Sequence, residues 1–242
     1  MSWSFGAPLS AAHRDRLRSC GTFGSVLDEL DLCLLDGSLL PEWWQPNGNA
    51  LYVRRGFPVP DRLLSVMVTY PFSDALLVLA TDISMVSSLL LGGDHATVFI
   101  GPDSYLSAAE FYCGAGSAII LNGGVVATSR AMVDARNGGS IVAEHEQLWA
   151  ANVVVTTDDM HRLEDLVTGE RLNPYGAQIR LGRHVWLCRD AIVTGNTEIG
   201  EGSVVGSRAM VRGQKVAANT AVAGTPARVI REGITWRGED AP

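Results

Sequence analysis

The residues best suited to chemistry cluster past the middle of the chain. Thr156-Thr157-Asp158-Asp159-Met160-His161 puts an imidazole behind two carboxylates, with Glu164 and Asp165 just beyond. A neutral imidazole near pH 7 can take a proton from a hydroxyl, and adjacent carboxylates can orient or tune it. From spacing alone, an exposed loop histidine without a role fits the same residues. The other histidines, at positions 13, 95, 145 and 184, are not closely paired, and Cys20, Cys33, Cys113 and Cys188 lack CxxC spacing. No metal site is therefore expected. Free thiols in a reducing cytoplasm fit the cysteine pattern.

A loop histidine acts only if rigid elements hold it, and the flanking sequence shows which elements. From Leu181 the chain repeats every six residues, with an aliphatic residue opening each unit: Leu181, Leu187, Val193, Ile199, Val205 and Val211. The fifth place is small or β-branched: Val185, Ala191, Thr197, Ser203 and Ala209. That period is neither helical nor simply alternating. It suits a three-faced coil in which both residues point inward and stack on their equivalents in neighbouring coils. Gly195 and Gly202 fall at expected corners. Upstream, Leu79, Ile100, Leu121 and Val142 recur every 21 residues, each closing a β-prone run. A β-sandwich with regular strand spacing is the competing fold.

The expected architecture is mainly β, a parallel β-helix preceded by a short helical or irregular cap. Residues 1–48 form the leader, with two short helices over 11–18 and 25–35. Trp43 and Trp44 would seal the open end of the core. Residues 49–232 form the coil, interrupted by a polar loop over 156–179, and 233–242 form a tail. A loop of that length within a compact fold is usually functional or disordered. Asn152 is expected at an inward fifth position, and His184 at a solvent-facing corner.

Composition limits the partners. The chain has 242 residues, 47% of them apolar, enough for a substantial core. A net charge of −7 disfavours nucleic acid and anionic membrane surfaces. No run approaches the roughly eighteen apolar residues of a membrane span, and the first residues lack the pattern of a secretory signal.

The hexads, the histidine-bearing loop and the ending Val222-Ala-Gly-Thr-Pro-Ala-Arg-Val-Ile-Arg-Glu-Gly-Ile-Thr-Trp236 resemble the hexapeptide-repeat acyltransferases. Thr156–His161, Asp165–Pro174 and His184-Val-Trp-Leu187 resemble the branch that O-acetylates surface polysaccharides. The resemblance covers residues 96–236 well, 70–95 loosely and the leader not at all. It implies a left-handed β-helix, contrary to the usual right-handed crossover, and acetyl transfer from acetyl-CoA to a hydroxyl or amine.

By that resemblance His161 is the general base and Trp186 borders the active site, often facing the histidine of a neighbouring subunit. Arg189 would supply a main-chain N–H to the oxyanion, although Cys188 stands where relatives commonly have glycine. Ser207 falls beside the pantetheine arm, and Arg228 and Arg231 match residues that meet the nucleotide end. Arg212 and Lys215 are phosphate contacts or a solvated basic face. Asn137, with Asp134 nearby, and Asp158 and Asp159 are candidate acceptor contacts. A homotrimer is implied by analogy. Other readings are a zinc hydratase on the same fold, a non-catalytic scaffold or sugar binder, and an acyltransferase acting on a small-molecule amine or hydroxyl such as an antibiotic.

Overall fold

Short β-prone runs separated by corner residues build a parallel β-solenoid of about seven turns. The computed structural model describes residues 4–36, 40–57, 59–61, 70–158, 161–173 and 175–238. Each full coil lays one strand on each of three faces. A ten-stranded first face runs from Ser4–Pro8 to Lys215–Val216. The second face holds seven strands, Tyr105–Leu106 through Arg228–Glu232, and the third holds six, Ser88–Gly92 through Met210–Arg212. The hexad residues Leu181, Leu187, Val193, Ile199, Val205 and Val211 are all buried, as are Val185, Ala191, Thr197, Ser203 and Ala209. Both inward positions read from the repeat are therefore inward in the fold.

Corners demand a left-handed backbone. Gly195 and Gly202 supply it at φ 68° and 70°, while Asn137, Asn152, His184, Asp190, Arg208 and Asn219 adopt φ between 54° and 60°. Asn152 is thus a corner residue whose amide donates to Asp190 (3.0 Å). The inward place expected for it belongs to Val153. The side chain of a left-handed residue leaves the strand pattern, and Asn, Asp and His adopt that conformation more readily than other non-glycine residues.

The 21-residue stride fails at its last step. Val142 pairs with Ile120, and the partner of Leu121 is Ala143. An extra residue enters one corner earlier: Leu106 and Phe111 align with Ala127 and Val133, so a five-residue step becomes six. Ala143 is the inward residue, and Val142 faces out under the leader.

The leader does more than seal an end. Helix α1 (Ala11–Ser19) is N-capped by Ser10, whose hydroxyl accepts from the His13 N–H at 3.1 Å. Helix α2 (Gly24–Asp28) is much shorter than the expected 25–35. Leu32–Asp36 is instead a strand, antiparallel to Ala50–Arg54. Its alternation explains the difference: Cys33 and Leu35 enter the coil core while Leu32 turns to the leader. Trp44 is buried in the core, and Trp43 packs against it.

The outward column of the first face reads Tyr52, Val78, Phe99, Ile120 and Val142, and all five are buried. They share a cluster with Leu17 and Leu27 of the two helices. The Arg16 guanidinium fastens α1 there, donating to Thr97 Oγ1 (2.8 Å) and to the carbonyls of Asp74 (2.6 Å), His95 (2.8 Å) and Ala96 (3.1 Å). Below Val142 the column continues as Arg180, Glu198 and Lys215, which remain exposed.

Candidate functional site

The polar loop leaves the third face after Val154–Thr156 and rejoins the first at Gln178–Leu181. It is a hairpin. Glu164 bridges Arg171 in antiparallel fashion, and the Leu172 N–H donates to the Leu163 carbonyl (2.8 Å). Asp165 makes the turn: its carboxylate accepts from the N–H groups of Val167 and Thr168, both at 2.8 Å. Those bonds, that to Thr168 foremost, hold its carboxyl below the usual carboxylate range. Glu164 pairs with Arg162 at 2.5 Å. Neither carboxylate orients His161. The His161 ring is exposed, and no described side chain bonds it.

Asp158 lies at the base of the hairpin with its side chain only 4% exposed. Asn137 of the preceding coil donates to Oδ2, the Arg171 guanidinium lies 3.3 Å from the same oxygen, and Asn173 donates to Oδ1 at 3.0 Å. Asp158 and Asn137, both expected near the acceptor, are therefore brought together. Asp159, expected with them, lies outside the described residues. Beside Asn137, the Nε of Arg136 sits 2.7 and 2.8 Å from the two Asp134 oxygens, and its guanidinium lies 3.8 Å over the Tyr112 ring. Burial pushes the Asp134 carboxyl up; Arg136 opposes this and Asp158 adds to it. Below the hairpin, Arg212 follows Thr156 and Thr194 in the same column of the third face. A groove of about 340 Å³ separates Asp158 and Asn173 from Thr194, Gly195 and Arg212.

A second group occupies another part of the prism. Trp186 stands outward on the second face, between Leu148 and Val204. Arg189 and Ser207 occupy successive turns of the corner between the second and third faces, where the Arg208 N–H donates to the Arg189 carbonyl (3.0 Å). Arg228 and Arg231 lie on an antiparallel return strand beside Ala223 and Ala221. Cys188 is buried, and desolvation pushes its thiol up. Arg212 thus stands with the hairpin rather than with the other arginines. His161 and Trp186 belong to different edges of one chain.

Two features escaped the sequence. Trp236 of the tail stacks on His184 with ring centroids 4.0 Å apart and lies 5.9 Å from Trp186. Its indole donates to the His184 carbonyl (2.8 Å), and the His184 ring faces the Trp236 carbonyl (3.0 Å) and Glu146 (3.4 Å). His184, expected to face solvent, is half-buried. Asn173 was the other omission; its signal was the Asn173-Pro174 pair closing the loop, a common turn marker.

These features define a class of architecture, a stacked three-faced solenoid with a hairpin projecting from one corner. Solved structures share the solenoid fold. The polysialic acid O-acetyltransferase OatWY superposes with a TM-score of 0.57 at 22% identity, over 71% of this chain and 77% of its own. The polySia-specific acetyltransferase NeuO gives 0.56 at 21%, over 69% of this chain and 76% of its own. No family model matches the sequence, and no curated protein sequence matches it.

Proposed function

We propose that this chain is an acetyl-CoA-dependent O-acetyltransferase acting on a sugar hydroxyl, with His161 as the general base. The observation that carries the reading is an exposed imidazole that bonds no described side chain, presented on a hairpin whose base is fixed to a rigid coil. The shared architecture of two solved polysialic acid acetyltransferases supports it. In this reading His161 takes the acceptor proton as the hydroxyl oxygen attacks the thioester carbonyl. The main-chain N–H of Arg189 faces the developing oxyanion. The thiolate of coenzyme A leaves and takes the proton back from the imidazolium. Trp186 and Ser207 wall the donor arm, while Arg228, Arg231 and Arg212 are the candidates for its phosphates. Acceptor contacts would come from Asn137 and the two aspartates before His161. Four free thiols suit a cytoplasmic setting. Incubating the protein with acetyl-CoA and a panel of hydroxylated sugars should release free thiol with at least one of them. A panel that releases none above the buffer rate refutes the reading.

The two halves of this site lie on different edges of the prism, so a complete site takes more than one copy. The exposed faces support a homotrimer. The upper part of the first face, down to Val142, is covered by the leader, and its lower part carries the exposed charges of Arg180, Glu198 and Lys215. The second presents an outward apolar ladder, Tyr105, Val126, Leu148, Trp186, Val204 and Ala221. The third presents Met132, Val154, Ile192 and Met210. Two different faces meeting in head-to-tail contact form a ring when the rotation between copies closes, at three copies for a rotation of about 120°. The hairpin tip, with Leu166 102% and Val167 93% exposed, is a further apolar surface for such a neighbour. Leu148→Glu should convert the assembly to monomers in sedimentation and abolish transfer; an unchanged sedimentation coefficient rejects this interface.

A further inference from the structure

Asn173 ties the hairpin to the coil through a single amide. Its Nδ2 donates both to Asp158 Oδ1 (3.0 Å) and to the His161 carbonyl (2.7 Å). Its Oδ1 accepts from the Leu163 N–H (2.9 Å). The backbone is thereby held on both sides of Arg162, beside the residue that carries the imidazole. Asp158 passes this constraint to the solenoid: Asn137 belongs to the corner after Met132–Ala135, and the Thr156 hydroxyl donates to the Asp158 carbonyl (2.9 Å). Arg171, stacked on Tyr175 at 3.9 Å, approaches the same carboxylate from the returning strand of the hairpin.

A buried carboxylate is costly unless its oxygens are hydrogen-bonded and its charge is paired. Here both oxygens are bonded from three directions, and the side chain is almost wholly withdrawn from solvent. That is the environment of an anchor rather than of a group waiting for a sugar hydroxyl.

We propose that Asp158 and Asn173 are positioning residues that fix the backbone at His161 relative to the coil, and that neither contacts the acceptor. The proposal rests on the reading of His161 as general base, and it moves Asp158 out of the acceptor-binding set. The mechanism requires the imidazole within hydrogen-bond reach of the attacking hydroxyl, and a misplacement of about 1 Å can cost about 10²-fold in rate.

Two measurements on the full chain separate this role from its alternatives. In the thiol-release assay, Asp158→Asn should lower kcat by about 10–10²-fold with KM for the sugar and for acetyl-CoA within about twofold. Trypsin cleavage between residues 161 and 173 should accelerate, because the loop opens more often. Asn173→Ala removes the same tie from the hairpin side and should show the same loss of kcat and of protection. A raised KM for the sugar with unchanged kcat would make Asp158 an acceptor contact and overturn the proposal, as would unchanged cleavage. The general-base reading fails separately, if His161→Ala retains activity. Cleavage of Asp158→Asn still reports on the anchor in that case.

Discussion

Replacing His161 with alanine is expected to lower acetyl transfer by about 10²–10⁴-fold, the usual contribution of a positioned general base. KM for acetyl-CoA should stay within about twofold, because a general base acts on the acceptor proton rather than on the donor. Stability should change by no more than about 0.5 kcal/mol, as for most exposed positions. The ring is exposed and no described side chain bonds it, so the substitution breaks no side-chain bond among the described residues. Thiol release by wild type and variant, with thermal unfolding beside it, reads both quantities. Equal rates would remove the histidine from the chemistry and favour a solenoid that only binds or scaffolds.

The largest stability effect is expected at Trp149. This side chain is fully buried inside the prism, stacked between Ala127 in the coil before and Leu187 in the coil after. A small residue on one side makes room for the indole, so truncation leaves a void that neither neighbour can fill. Trp149→Ala should cost about 3–5 kcal/mol in urea unfolding. The indole N–H is buried and has no hydrogen-bond partner among the described residues, which is itself destabilising. Trp149→Phe removes that orphan donor while keeping most of the volume, and should stay within about 1.5 kcal/mol of wild type. A phenylalanine variant as unstable as the alanine variant would mean that the indole N–H is satisfied in solution.

The coil was the most legible part of the chain, because the same physical demand recurs in every turn. An inward aliphatic residue and a small fifth residue must stack at each rung, so the signal repeats from Leu181 to Val211. Local insertions were harder to read. One extra corner residue displaced Val142 from the inward column, and a corner asparagine at 152 passed for an inward one. The leader failed for a different reason: Leu32-Cys33-Leu34-Leu35 is a continuous apolar run whose helix or strand choice depends on the strand it meets.

At the site, the histidine and its loop stood out as a break in a strict period, whereas the partners of Asp158 are separated from it in sequence. Asn137 and Asn173 meet it only once the coil and hairpin have formed. Trp236 likewise reaches His184 from 52 positions away. Such pairings leave no local pattern to read.

The change of character down the first face, from covered apolar residues to exposed charged ones, gives the solenoid a polarity of tolerance. Above it, the two helices and their arginine clasp are matched to a fixed set of rungs, and inserting or deleting a turn there would slide the clasp out of alignment. Beneath Arg180 the first face bears no such clasp, so a turn added there leaves the leader aligned, and the cost falls instead on the stack of Trp236 on His184.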